Sequence, residues 1–574
     1  MRFTRRSALF AGATGLSACA VRPDLGRYDF DGAVGEGTFS CGVASGDPLA
    51  TSVVLWTRIG GVDGGTVPVL AEVAEDENFA RIVFSELAET DGFKEHTVKV
   101  LAQNLAPGVR YYYRFSVFDQ VSRVGRTKTL PEETEEVRFA IASCSNYPFG
   151  YFNAYDHIAR QEGLDAVLHL GDYIYEYGPE GYGGDVGAAL GRPHDPPREL
   201  LVLDDYRRRH RQYKMDPASR AMHAAHPLIA VWDDHETSND AWQNGAENHQ
   251  PASEGDWAAR SRAAMQAYFE YMPVREAKSE EKRKSYYRSY SWGNFLTVTA
   301  IETRLTARTE QISYVEAVET FESEADIARF RNEVLADPAR ELLGPDQQAF
   351  VGQSLRDAAE RDVTWKLLAN QILMARVLAP DLNAYVPPEF VDEIEPSFPE
   401  VRAFLKWSAL GLPYNTDAWD GYPAARERFY AEAQGAGVRD LLVLTGDTHM
   451  FWANDLKRDD GTQMGVELGT SGITSPGPGA YFGDKAFDYS LLLRRDNQDV
   501  RYADAVHNGY VLLTLSEDKG QATFVSVNTI LSPSYRAVAN ARFDIERKNG
   551  SLAFRRAEGL GFKERVLFGS SARS

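Results

Sequence analysis

Four short apolar runs in this chain end in the same chemistry. FAIAS (139–143) runs into Cys144. AVLHLG (166–171) runs into Asp172, with Tyr175 three residues on. LIAVW (228–232) runs into Asp233, Asp234 and His235, with Asn239 beyond. LVLTG (442–446) runs into Asp447, with His449 two residues later. Runs this short, bounded by turn residues, read as buried strands. Between the first two, Phe152, Tyr155, Ile158 and Ala159 fall at helical spacing, and Gly163 follows the end. Strand, helix, strand over about thirty residues is a βαβ unit with parallel strands. In an open α/β sheet, sites lie beyond the carboxyl ends of the strands. One polar residue after a strand is unremarkable. Four such endings bring at least five ligand-type groups to one place.

The rest of the chain supports that architecture. Further apolar runs at 295–302 and 365–371 read as strands. Helical patterns occupy about 203–214, 256–271, 325–336, 346–360 and 422–435. Residues 36–130 read differently, as short strands at regular spacing. There LAPGVRYYYRFSVF sets a Pro-Gly turn before Tyr111, which resembles the tyrosine corner of fibronectin-type sandwiches. TLPEETEEV (129–137) reads as a polar linker, and the catalytic part as 137–535. Residues 536–574 read as a hairpin tail turning at Asn549-Gly550, and the Pro-rich acidic stretch 379–400 as an exposed loop.

A cluster of buried carboxylates repels itself and is costly to desolvate; bound cations offset both effects. Thiolate, phenolate and carboxylate suit a highly charged ion such as ferric iron. Asp, Asn and His suit a second, divalent ion. Two ions about 3.5–4 Å apart form the clamp used to hydrolyse phosphoesters.

At these residues the chain resembles a known family. SCSNY, GDYIYEYG, WDDHETSND, WDGYP (419–423) and TGDTHMF together are similar to the PhoD-type alkaline phosphatases and phosphodiesterases, within the metallophosphatase superfamily. FSCGVASGDPLATSVVLWTR (39–58) is similar to that family's N-terminal domain. The resemblance implies a four-layer α/β metallophosphatase sandwich preceded by a small fibronectin- or Ig-like β-sandwich. It also implies an Fe³⁺ plus Ca²⁺ centre, with Zn and Mn left open, and attack of a metal-bound hydroxide on phosphate esters or diesters. Residue by residue, it makes Cys144, Asp172, Tyr175, Asp234, Asp447 and His449 the metal ligands, and His235 the residue that contacts the substrate or protonates the leaving group. Asn239, Arg211 and Arg304 are candidates to contact the substrate. The plainer readings are a solvated basic helix face for Arg211 and a surface ion pair for Arg304. Glu302, in IETR, stands where the pattern leads one to expect Asp. His169 reads as a core histidine, and His223, His226 and His249 receive no role.

The N-terminus, MRFTRRSALFAGATGLSAC, has basic residues before a short apolar run, a secretory pattern. Arg5-Arg6 resembles a twin-arginine signal. LSAC resembles a lipobox with Cys19 as the lipidated residue, against plain cleavage near Ala18. The expectation is therefore an exported, monomeric protein, periplasmic or lipid-anchored. A net charge of −21 over 574 residues disfavours nucleic acid as a partner. Two other functions fit the residues: a metallohydrolase of carboxylic esters or amides, and a non-catalytic metal-binding surface protein. Cys41 and Cys144 read either as a disulfide or, on the resemblance, as an unpaired core thiol and a metal ligand.

Overall fold

The computed structural model describes residues 38–62, 65–396, 398–482, 488–556 and 566–567. The expected export signal (1–18), Cys19 and the end of the C-terminal tail lie outside the described residues.

Two sheets face each other. Among the described residues the larger has eleven strands and contains the parallel trio Glu136–Ala142, Ala166–His169 and Leu228–Ala230. The other has seven described strands and contains the parallel run Leu296–Ala300, Trp365–Ala369, Leu441–Thr445 and Gln463–Gly469. Between them lies one apolar layer that includes Phe139, Leu168, Ile229, Val298, Leu367 and Leu444. These strands are buried on both faces, which is why they read as continuous apolar runs rather than alternating ones. A second apolar cluster, including Ile158, Tyr206 and Tyr268, packs helices against the outside of the larger sheet. A third, including Val351, Leu355, Phe429 and Leu493, covers the outside of the smaller one. The result is helix, sheet, sheet, helix, the four layers expected.

The structure adds to three of the expectations. Residues 43–128 do pack as two sheets around a core of their own, including Val53, Leu55, Val69, Tyr113 and Phe115. Tyr111 has its corner contact, its hydroxyl accepting from the Ala106 N–H at 2.9 Å. Yet one of those sheets, Val43–Leu49, Ser52–Arg58 and Thr97–Ala102, is continuous with the large central sheet. Gly46 pairs in parallel with Leu228. A Cβ at Gly46 would sit 2.4 Å from the Pro273 carbonyl oxygen and 2.6 Å from that of Leu228, so only glycine allows this seam. The linker at 129–137 therefore does not separate two free-standing bodies. At the other end, Ala537–Lys548 and Ser551–Arg556 form the expected hairpin and extend the edge of the same sheet. The Asn549-Gly550 turn has the two positive φ angles such a hairpin needs, 54° and 74°. Finally, the stretch 379–400, read as an exposed loop, is in part helical. It forms the helix Pro388–Ile394, with Phe390, Val391 and Ile394 buried. Its acidic residues hide an apolar face at helical spacing.

Candidate metal centre

Both sheets bring the carboxyl ends of their parallel strands to one edge. There an isolated parallel bridge, Ser143 to Gly472, ties one sheet to the other. At the tips the chain turns through the left-handed region: φ is 59° at Cys144, 55° at Asp172, 61° at Asp447 and 56° at His449. Such a conformation costs a non-glycine residue about 1–2 kcal/mol, and four at one edge mark a place the rest of the fold holds in strain. Gly171, at φ 105°, is packed so tightly that a Cβ would lie 2.4 Å from the Asp233 Cβ. The tips are also cross-tied: the Cys144 and Ser145 N–H groups donate to the carbonyls of Gly171 and Asp172 at 3.2 and 2.9 Å.

The ligand-type atoms gather into overlapping groups. Cys144, Asp172 and His449 each offer one atom, all within 4.8 Å of one another. The Tyr175 hydroxyl joins them, 3.2 Å from Asp172 Oδ2 and 3.2 Å from His449 Nε2. Asp172, Asp234 and His235 form a second group of the same tightness. Asp172 belongs to both groups, and would be shared if each held an ion. Its Oδ1 is buried with no hydrogen-bond partner, an orphan that a cation would satisfy.

Electrostatics point the same way. Burial, then the Asp172 charge, pushes the Cys144 thiol and the Tyr175 phenol well up. Burial also raises Asp172 and Asp447; at Asp172 the charge of His235 opposes this and that of Asp234 adds to it. Asp234 alone among the ligand carboxylates is lowered, because Arg304 and His235 outweigh its burial. Burial and the His235 charge bring His449 down to about 4, so its imidazole is neutral and free to ligate. Anionic donors that are unfavourable alone and adjacent in space form a set that fits bound metal ions.

Arg304 overturns both readings given to it. It is neither on the surface nor free to take a phosphate. The guanidinium is fully buried, with Nε to Asp233 at 2.5 Å, Nη1 to both oxygens of Asp417 at 2.7 Å, and Nη2 to Asp447 at 2.9 Å. Asp233, Asp234 and Asp447 make a third close group, and this cation sits within it. Glu302 aims the arginine by accepting from the backbone N–H of Arg304, Leu305 and Thr306 at 2.7, 2.7 and 2.8 Å. Arg211 is corrected too: it pairs with Glu95 at 2.6 Å, on the side of its helix facing the N-terminal strands. Asn239 does stand at the site, in the pocket wall, with its side chain on Glu247 at 3.2 Å.

His235 stacks on Tyr175 at 4.1 Å and is held through Nδ1 by Glu176 at 2.8 Å. Glu176 is fully buried and is fixed in turn by Asn248 and the Asn239 N–H. Sequence reasoning passed over this residue, and also Glu236, which accepts from the N–H groups of Asp172, Tyr173 and Asp233. Asp417 and Ser475 were missed as well; the Ser475 hydroxyl donates to the Tyr175 oxygen at 2.7 Å. The signal available for the two glutamates was their place inside GDYIYEYG and WDDHETSND, acidic residues flanked by core residues. Nothing local marks Asp417 or Ser475. Cys41 and Cys144 are both free thiols, so no disulfide joins them; Cys41 packs with Ala44, Trp56 and Tyr271. His169 is a core histidine, bonded to the Tyr155 hydroxyl at 2.7 Å.

Known proteins share both the sequence and the fold of this chain. Residues 139–524 match the PhoD-like phosphatase family, and residues 27–131 match the PhoD-like phosphatase N-terminal domain. The chain is 34% identical over 532 residues to alkaline phosphatase D of Bacillus subtilis (strain 168), covering 90% of this chain and 82% of that protein. A solved structure described as the structure of PhoD superposes with a TM-score of 0.76 at 31% identity, covering 93% of this chain and 94% of that one.

Proposed function

The chain belongs to the PhoD-like phosphatase family, and from that premise we propose an exported phosphoesterase with a two-metal centre held by Cys144, Asp172, Tyr175, Asp234, Asp447 and His449. The observation that carries this reading is Asp172, shared by two ligand groups and left with a buried, unpartnered oxygen. The thiol and phenol side suits a ferric ion; the carboxylate side suits an oxygen-seeking divalent ion such as calcium. When bound, such ions polarise the phosphoryl oxygen and make a water nucleophilic at neutral pH.

The chain's own residues do the rest. Glu176 fixes His235 through Nδ1, which leaves Nε2 to hold the proton destined for the leaving alcohol. Ser475 and Asp172 fix the Tyr175 oxygen, and Arg304 balances the carboxylates behind the centre. Family membership leaves no ground for the binding-protein reading. Among the described residues no helix is long and apolar enough to cross a membrane. Export, by the twin-arginine route and with or without a lipid at Cys19, rests on the sequence 2–19.

The test is Asp172→Asn with elemental analysis, a visible absorption spectrum and phosphoester turnover. Bound metal, any charge-transfer band and activity should fall together, activity by about a thousandfold or more. Turnover near wild type would defeat the assignment.

A further inference from the structure

Three of the ligand-type side chains are tied to one short segment. After the strand Gln463–Gly469 the chain runs from Thr470 to Pro476 as a strap, crossing the tips beside the bridge from Ser143 to Gly472. The N–H groups of Thr474 and Ser475 both donate to the Cys144 carbonyl, at 3.3 and 3.2 Å. The Ser475 hydroxyl donates to the Tyr175 oxygen at 2.7 Å. The Pro476 carbonyl lies 3.1 Å from His449 Nδ1. A carbonyl can only accept, so it takes the Nδ1 proton. That leaves the lone pair on Nε2, the atom 3.2 Å from the Tyr175 oxygen. One strap thus sets the backbone at the thiol, the hydrogen bond to the phenol and the tautomer of the imidazole.

The strap is clamped in turn by Asn508. This half-buried residue stands at the foot of the strand Gly509–Ser516. Its side-chain amide uses both hydrogens on the strap, Nδ2 donating to the carbonyls of Gly472 at 2.9 Å and Ser475 at 2.8 Å. The Gly509 N–H adds a bond to the Gly472 carbonyl at 3.2 Å. Just past the strap, Gly477 is pressed so close to Ala505 that a Cβ would stand 2.3 Å from the Ala505 carbonyl oxygen. An amide NH2 group suits two carbonyls; an ionised aspartate of the same shape has no donor to offer them. We propose that Asn508 is a positioning residue of the metal centre: by clamping the Gly472 and Ser475 carbonyls, it holds the strap that orients Cys144, Tyr175 and His449 toward an ion. The proposal rests on the two-metal reading and names a residue that tunes it from outside the ligand set.

The test compares the purified, metal-loaded wild type with Asn508→Ala, Asn508→Asp, Ser475→Ala and the double variant Asn508→Ala/Ser475→Ala. Two quantities are read: the rate at which bound metal passes to excess chelator, and the position of the visible charge-transfer band. Both Asn508 variants should release metal about tenfold faster than wild type, or more. Losing the Ser475 hydrogen bond makes the Tyr175 oxygen a better electron donor to a ferric ion. The band should therefore move to longer wavelength in Ser475→Ala, and in the same direction in Asn508→Ala. The double variant should shift no further than Ser475→Ala alone, because one residue acts through the other. Asn508→Asp keeps the shape of the side chain, so it carries the comparison if Asn508→Ala does not fold. Metal release at the wild-type rate in the Asn508 variants overturns the proposal, even if their melting temperatures fall. So does a band shift that is additive in the double variant. A wild type that holds metal but shows no band strikes at the ferric ion alone, and the release rates then decide. A wild type without bound metal strikes the two-metal reading, and the proposal with it.

Discussion

Arg304 shows how little a side chain's type says about its surroundings. After the strand Leu296–Ala300 the sequence ETR could face solvent or core, and nothing local decides it. The facing sheet does, by placing Asp233, Asp417 and Asp447 around the guanidinium. Arg304→Gln should therefore cost about 3–5 kcal/mol in urea unfolding, the range for stranding buried partners, where a surface pair would cost about 0–1. The ligand-type residues were legible because each follows an apolar run. Asp417 and Ser475 were not, since partners distant in sequence give them their roles. Protonation gives a second prediction at this scale. Burial lifts Asp233 and Glu236 to about 7 in the folded protein, against Arg304 for the first and three backbone N–H groups for the second. Because the folded pKa values are the higher ones, the metal-free protein holds these protons more tightly than the unfolded chain does. Their contribution is whole below the ordinary carboxylate range and is lost as pH rises toward 7. The denaturation midpoint of chelator-treated protein should fall between pH 5 and pH 7. The gap to metal-loaded protein should widen over the same range; a constant gap would contradict this.

At the scale of elements, the strands and helices that read most clearly were the long periodic ones. Leu203–Met215, Trp257–Tyr271, Gly344–Glu360 and Pro423–Gly435 all lie within a few residues of their expected limits. Within the stretch 379–400 the helix Pro388–Ile394 was missed because prolines and acidic residues dominate it, while Phe390, Val391 and Ile394 carry the helix into the core. The seam at Gly46 was invisible because a glycine in a strand signals close approach without naming what approaches. Gly171 makes the matching prediction. Gly171→Ala would force a Cβ against Asp233 at φ 105°, pushing apart the tips that carry Asp172 and Asp234. Calorimetric titration of the metal-free variant with metal should show affinity lowered by about tenfold or more, with far-ultraviolet circular dichroism unchanged. An affinity equal to wild type would mean that the tips tolerate the displacement.

At the scale of the whole molecule, the two matched family segments, 27–131 and 139–524, suggest a division that the sheet does not respect. Strand Val43–Leu49 lies inside the central sheet, hydrogen-bonded to strand Leu228–Ala230 on one side and to Ser52–Arg58 on the other. Removing residues 1–131 should therefore leave the catalytic part with a bare inner edge. That fragment should aggregate on size-exclusion chromatography and fail to retain metal, and a monodisperse, metal-retaining fragment would show the seam to be dispensable. Sequence patterns displayed both sets of strands but not their union, since pairing between residues 46 and 228 leaves no periodic trace in either.

That seam also sets an order of events. Gly46 is synthesised before its neighbour Leu228, which is made only after the whole intervening stretch. Until then the early strands have no place to dock, and the nascent chain carries an open edge. Closure of the central sheet is thus a late step that needs both halves in the same compartment. Any step that acts on the finished fold must follow that closure.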